Sequence, residues 1–202
     1  MQQLPGTGRR VGVLALQGGV SEHAAMLQEL GAEVVLVKKS VQLEGLDALV
    51  LPGGESSTID RLTRILGVRE ALIEAISSGL PTLGTCAGLI MLAREITDPA
   101  PGQQSLGVLD ITVDRNAFGS QVASAETVLD WQSPSGESHQ VKAAFIRAPR
   151  VVHTGDDVEI TARYHDEIVG VRAGNVLGIA FHPELCGETA LHQELLSLAQ
   201  KK

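Results

Sequence analysis

Along the first half of the chain, short aliphatic runs alternate with stripes at helical spacing. Residues 11–16 (VGVLAL) form a run of strand length. Ala24, Leu27 and Leu30 then recur on one stripe, with Ser21 available as a cap, Glu22 in the first turn and Gly31 past the end, which predicts a helix. Glu33–Val37 and residues 46–51 read as the second and third strands. Ser56 or Ser57 caps the next helix, which carries Ile59, Leu62, Ile65 and Leu66 on one face and stops at Gly67. Residues 68–78 are a further helix closed by Gly79 and Pro81, and Thr82–Thr85 is a short strand running into Cys86 and a helix through about Ala93. Strands alternating with helices imply a mostly parallel, twisted sheet flanked by helices on both faces, a three-layer α/β architecture.

The second half changes rhythm. Residues 108–113, 122–129, 143–146, 158–164, 168–173 and 176–181 read as strands separated by turn residues such as Ser133-Pro134-Ser135-Gly136 and Ala173-Gly174-Asn175. They predict antiparallel strands added to the sheet, with a final helix over residues 188–200. Residues 103–105 and 132–140 are the expected mobile loops. Without repeats or low-complexity segments, the chain reads as one domain over 1–202, with 1–9 as a flexible N-terminal extension.

Composition sharpens this picture. Hydrophobic residues are 44% of the chain but aromatics only 2%, so the core must be aliphatic, as buried parallel strands require. Sixteen basic against 24 acidic residues leave a net charge of −8 with no basic block. That argues against a nucleic-acid or anionic-membrane surface and leaves room for a small anionic ligand held by one or two arginines. No run approaches the roughly 18–20 apolar residues of a membrane span, and the run at 11–16 is too short for a signal-peptide core. A soluble, cytoplasmic protein is expected. Only two cysteines, Cys86 and Cys186, argue against a disulfide framework.

Their surroundings differ. Gly84-Thr85-Cys86-Ala87-Gly88 follows a strand and opens a helix, the G-x-nucleophile-x-G form of a nucleophile elbow with cysteine in place of serine. A sulfur at a helix N-terminus is favoured as thiolate; the bland alternative is a cysteine buried at a strand end. Cys186, without a glycine frame, reads as structural or incidental. A thiol nucleophile needs a base and an orienting acid, and Phe181-His182-Pro183-Glu184 follows a strand. Pro183 holds His182 extended, which would put His182 and Glu184 on one face; separately they would be a capping histidine and a surface glutamate. The order Cys, His, Glu argues against an α/β-hydrolase. After the third strand, Pro52-Gly53-Gly54-Glu55-Ser56 is either a strand-to-helix turn or a backbone loop able to meet an oxyanion, with Gly54 and Ala87 as the N–H donors. It lacks the Walker phosphate-loop pattern.

These pieces resemble the class I (triad) glutamine amidotransferases, and within them the glutaminase subunits of pyridoxal 5′-phosphate synthase. The resemblance rests on LALQGGVSEH at 14–23, LPGGESST at 51–58, GTCAGLIMLA at 84–93, RNAFGSQV at 115–122, and FIRAP (145–149) with FHPEL (181–185). GTCAG and HPE mark only the broad class; GGESST, RNAFG and FIRAP mark the subfamily. The resemblance implies a flavodoxin-like fold and a catalytic triad of Cys86, His182 and Glu184. It implies glutamine contacts from Gly54, Glu55, Ser56, Arg115, Ile146 and Arg147; without it each arginine would read equally as a surface ion pair. Gly19 stands where many relatives have alanine; Gln17 and His23 in the same segment receive no catalytic role, and shaping the oxyanion region, meeting the partner and ordinary helix-start packing stay open for both. The implied reaction converts glutamine to glutamate and ammonia through a γ-glutamyl thioester. The implied partner is a (β/α)8-barrel synthase subunit that consumes the ammonia, with pyridoxal phosphate a product and no cofactor or metal on this chain. Another amidotransferase's glutaminase, such as that of imidazole glycerol phosphate synthase, a non-catalytic regulatory module and a cysteine hydrolase are the alternatives.

Overall fold

A computed structural model describes residues 3–115 and 125–199. The RNAFGSQV segment beyond Arg115, the start of the strand expected at 122–129 and the end of the last helix at Gln200 lie outside the described residues. The first half gives β1 (Arg10–Leu14), α1 (Val20–Glu29), β2 (Glu33–Val37), β3 (Ala48–Leu51), α2 (Ser56–Ile65), α3 (Arg69–Ser77), β4 (Thr82–Thr85) and α4 (Ala87–Leu92). The second half gives β5 (Ala93–Ile96), β6 (Leu109–Asp114), β7 (Ala125–Gln132), β8 (Ser138–Phe145), β9 (Arg150–Thr154), β10 (Glu159–Tyr164), β11 (Glu167–Ala173), β12 (Val176–Ile179) and α5 (Ala190–Ala199).

The main sheet runs β2-β1-β3-β4-β12-β11-β9-β6-β5, with β10 added to β11 and β7–β8 as a separate ribbon. β2, β1, β3, β4 and β12 are mutually parallel. β3 and β4 are buried at every residue, the environment that the unbroken apolar run of β3 anticipates. The chain winds from β1 to β2 on one side and returns to β3 on the other, so the strand order reverses beside β1. In open α/β sheets, ligands bind at the carboxyl ends of strands around such a reversal.

Several elements differ from expectation. β12 was expected to be antiparallel; it is antiparallel to β11 across the Gly174 turn but parallel to β4. A strand's own residues do not encode its direction relative to a distant neighbour; the hairpin with β11 decides it. The buried side of α2 is Ser56, Ile59, Asp60 and Thr63, while Ile65 and Leu66 face outward, 64% and 49% exposed. Asp60 tolerates burial because Arg64 (2.8 Å) and the Gln104 N–H (3.0 Å) bond its carboxylate. β9 does not show in the pattern because three of its five residues are polar, and β8 extends through Ser138–Gln140 because those exposed positions pair with β7. The turn between them, expected to be mobile, is closed by Gly136 N–H to the Ser133 carbonyl (3.0 Å). Trp131 on β7 is fully buried and donates to Glu194 of α5 (2.7 Å), tying the ribbon to the helix that lies beneath β3 and β4. Among the described residues, no helix is long and apolar enough to cross a membrane.

Candidate active site

β1, β3, β4 and β12 adjoin one another, and each runs off its carboxyl end into one of the segments singled out above: Gln17-Gly18-Gly19, Gly53-Gly54-Glu55, Cys86, and His182-Pro183-Glu184. Thr85 and Ile179, the last residues of β4 and β12, are register partners. Cys86 and the approach to His182 therefore leave the sheet side by side.

Cys86 adopts φ 50° and ψ −102°, a conformation costly for a residue with a Cβ and characteristic of functional turns. It persists because both backbone groups are held: Cys86 N–H donates to Ile179 (2.8 Å), and its carbonyl accepts from Ile90 (3.2 Å). A Cβ on Gly88 would strike the Leu51 carbonyl, so the second elbow glycine is a steric requirement. α4 ends at Leu92, and a helix this short adds little dipole field. The sharp turn, more than the dipole, presents the thiol.

His182 is extended (φ −115°, ψ 89°), and its N–H donates to the Ala144 carbonyl (2.8 Å). The segment then turns: Pro183–Cys186 is a 3-10 helix, not the continued strand expected. Glu184 nevertheless reaches back, with Oε1 2.7 Å from His182 Nδ1, leaving Nε2 for the sulfur. Burial presses the His182 pKa down, but hydrogen bonding and charge from Cys86 and Glu184 together outweigh it and raise it to about 10. Gly53 lies against this pair. A Cβ there would collide with the His182 ring and sit 3.4 Å from the Cys86 Cβ.

The Gly53–Glu55 loop is pinned from β1. Gly19 N–H donates to the Gly53 carbonyl (3.0 Å), and Gln17 Oε1 accepts from the Glu55 N–H (2.6 Å). Gln17 thus fixes this loop, in line with a role in shaping the oxyanion region. A methyl on Gly19 would stand 3.6 Å from Glu184 Oε1, an ordinary contact, so alanine would also fit. Glu55, not Ser56 or Ser57, caps α2, accepting from the N–H groups of Ser57 (3.2 Å) and Thr58 (2.7 Å). Partial burial pushes its pKa up, but hydrogen bonds from the side chains of Ser57 and Thr58, and then from their N–H groups, prevail and lower it to about 2.

Arg115 joins this cluster. Its Nη1 donates to Gln103 Oε1 (2.9 Å) and lies 3.6 Å from Glu55, while Gln103 Nε2 donates to buried Ser56 (2.9 Å). Gln103, expected in a mobile loop, is the link. Glu55, Ser56 and Arg115 are thus connected. Ile146 and Arg147 follow β8 directly, just beyond the residue that bonds His182, both exposed and Arg147 at φ 44°. Cys186 Sγ faces the carbonyls of His182 (3.6 Å) and Pro183 (3.5 Å), and burial raises its pKa.

A buried group whose role the sequence leaves open stands behind the triad. His23 is fully buried, with Nδ1 2.9 Å from His192 Nε2 and Nε2 3.1 Å from Thr85 Oγ1. The signal was present: His23, Met26, Leu27 and Leu30 form a better helical stripe than the one built on Ala24, and they are the buried side of α1. Among the described residues, no group of three or more His, Cys, Asp or Glu is arranged to hold a metal ion.

The comparisons converge on one family. A sequence model of the SNO glutamine amidotransferase family matches residues 13–198. The chain is 50% identical over 194 residues to "Pyridoxal 5′-phosphate synthase subunit PdxT" of Acidothermus cellulolyticus, covering 94% of this chain and 93% of that one. It is 48% identical over 192 residues to the protein of the same description from Corynebacterium glutamicum, covering 95% and 96%. A solved structure described as a glutamine amidotransferase superposes with a TM-score of 0.86 at 47% identity, covering 94% of this chain and 98% of that one. PurLQS from Thermotoga maritima matches at TM-score 0.69 and 20% identity, a likeness of fold.

Proposed function

The chain belongs to the SNO glutamine amidotransferase family, and from that membership we propose that it hydrolyses L-glutamine and delivers the ammonia to a synthase that makes pyridoxal 5′-phosphate. The observation that carries the proposal is Cys86 in its strained turn beside a His182 ring whose other nitrogen is 2.7 Å from Glu184. The names of the relatives support the synthase as partner and glutamine as substrate.

We assign Cys86 as nucleophile, His182 as acid and base, and Glu184 as the group that orients His182. With the shared proton on His182, the sulfur attacks the carboxamide carbon. Charge develops on the former carbonyl oxygen, for which the N–H groups of Gly54 and Ala87 are the proposed donors; Ala87 opens α4, where helical N–H groups lack intrahelical partners. Collapse expels ammonia as His182 gives up its proton, leaving a γ-glutamyl thioester. His182 then takes a proton from water, which attacks the thioester and releases glutamate.

Glu55, Ser56, Arg115, Ile146 and Arg147 are proposed to hold the amino-acid end of glutamine, a guanidinium fork being suited to the α-carboxylate. The acceptor would be a (β/α)8-barrel subunit combining ammonia with pentose and triose phosphates in a multi-subunit complex. We take residues 1–202 as one amidotransferase domain working in the cytoplasm, where a thiol nucleophile stays reduced.

The test is release of glutamate and ammonia from glutamine by the chain with and without the synthase subunit. Turnover in the assembled complex is expected, and its absence overturns the glutaminase reading. If the complex makes ammonia but no pyridoxal phosphate from pentose phosphate and triose phosphate, the acceptor assignment falls.

A further inference from the structure

Glu184 uses one oxygen on His182 and leaves the other unexplained. Oε2 is buried and lacks a hydrogen-bond partner. His23 Nε2 lies 3.6 Å from it. The same nitrogen is 3.1 Å from the hydroxyl of Thr85, the residue immediately before Cys86. One ring thus touches both halves of the triad: the acid and the strand end that carries the nucleophile.

We propose that His23 is a positioning residue for the triad, its Nε2–H edge facing Thr85 and the outer oxygen of Glu184, with His192 locking the ring in that tautomer. The inference rests on the glutaminase reading above. The tautomer follows from counting protons. His23 Nδ1 and His192 Nε2 are 2.9 Å apart, so one proton lies between them. Were it on His23, a bare Nε2 lone pair would face the Glu184 carboxylate. His192 would then carry its own proton on Nδ1, which is buried and without a hydrogen-bond partner. With the proton on His192, His23 presents N–H to Thr85 and Glu184, and only an acceptor is orphaned at His192 Nδ1. Orphaned buried N–H groups are the rarer kind, and a donor edge beside a carboxylate is favoured over a lone pair. Burial holds both rings neutral, lowering His23 to about 3 and His192 to about 4, so each has one N–H to place. The Nε2–Oε2 separation is too long for a direct hydrogen bond. His23 therefore acts on Glu184 by the field of its N–H, and on Cys86 by the bond to Thr85.

A histidine that merely fills the core would respond to volume alone, whereas a positioning residue responds to loss of the donor. In the assembled complex with the synthase subunit, His23→Leu is expected to lower kcat for glutamine hydrolysis about tenfold or more, with KM within about twofold, as for other residues that orient a reacting group from behind. His23→Gln, which can place an amide N–H where Nε2 stands, should recover most of that loss. A second readout needs no turnover. The downfield proton NMR resonance of His182 Nδ1–H, identified by its loss in His182→Asn, should shift in His23→Leu and return toward its place in His23→Gln. Wild-type kcat with an unmoved resonance in His23→Leu overturns the proposal. Equal losses of kcat and Tm in the Leu and Gln variants also overturn it, since volume would then be the cause. If the wild-type complex hydrolyses no glutamine, the glutaminase reading fails, and the resonance still decides whether His23 orients the Glu184–His182 pair.

Discussion

Glu184 lies two residues beyond His182, and its Oε1 stands 2.7 Å from His182 Nδ1 although the backbone between them turns into a 3-10 helix. Extended geometry is therefore not what pairs them. Pro183 sets the direction in which the chain leaves His182, and the 3-10 turn folds the carboxylate back onto the ring. With the side chain of Glu184 only 1% exposed, the pair is shielded from competing water.

Glu184→Gln should expose what that charge contributes. The amide can still bond the ring but cannot stabilise an imidazolium, so kcat for glutamine hydrolysis is expected to fall by about 10²–10⁴-fold while Tm changes little. Steady-state kinetics in the assembled complex measure it, and wild-type kcat would remove Glu184 from the triad.

Cys86→Ala should reduce glutamine hydrolysis by at least about 10³-fold while association with the synthase subunit persists. Ammonia release and analytical ultracentrifugation test the two halves. The strained φ of 50° is carried equally by alanine, so this substitution leaves the backbone conflict as it was.

Gly53→Ala places a methyl in the space of the His182 ring. The ring must move, and displacement of a reacting group by about 1 Å can cost about 10²-fold. A drop of that size in kcat is expected, with the fold retained by circular dichroism. Unchanged turnover would mean that the ring has freedom at this contact.

Arg115→Lys keeps the charge and loses the planar guanidinium, whose Nη1 bonds Gln103 and lies 3.6 Å from Glu55. KM for glutamine should rise about tenfold with kcat changed by less than about threefold. A kcat effect with constant KM would argue that Arg115 serves the chemistry and not the substrate.

Stability should depend on pH in two windows of opposite sign. His182 is raised from its ordinary 6.5 to about 10. Its contribution is complete below about pH 6.5 and is lost as pH rises through 10, because the folded state then holds a proton that the unfolded state has released. His23 and His192 are lowered to about 3 and about 4. Below pH 6.5 the unfolded chain takes up protons that the folded chain refuses, so stability falls as pH drops toward 4. Thermal unfolding from pH 4 to 10 should show both slopes, the alkaline one flattened in His182→Asn and the acid one in a His23→Leu, His192→Leu double variant.

Much of the site could be read before folding. The elbow glycines around Cys86, the His-Pro-Glu run and the glycine loop at Gly53 each declare a local geometry through steric rules that act within a few residues. The α/β class followed from aliphatic runs of strand length alternating with helical stripes. Less legible were β9, where polar residues mask a strand, and α2, whose apolar Ile65 and Leu66 point outward because buried Asp60 finds partners in Arg64 and in the Gln104 backbone.

By itself, then, the chain determined most of its strands, its turns and the identity of its reactive groups, because propensity, periodicity and turn sterics are local. Only the tertiary structure decided that β12 runs parallel to β4, which sets the approach to His182 beside Cys86. It likewise decided that Gln17 pins the Gly53 loop, that Gln103 links Arg115 to Ser56, and that His23 stands behind Glu184 across 161 residues of chain, by the difference of their numbers. Such contacts arise when distant strands share a sheet edge and their ends must satisfy one another's buried polar groups, a condition that no single segment carries.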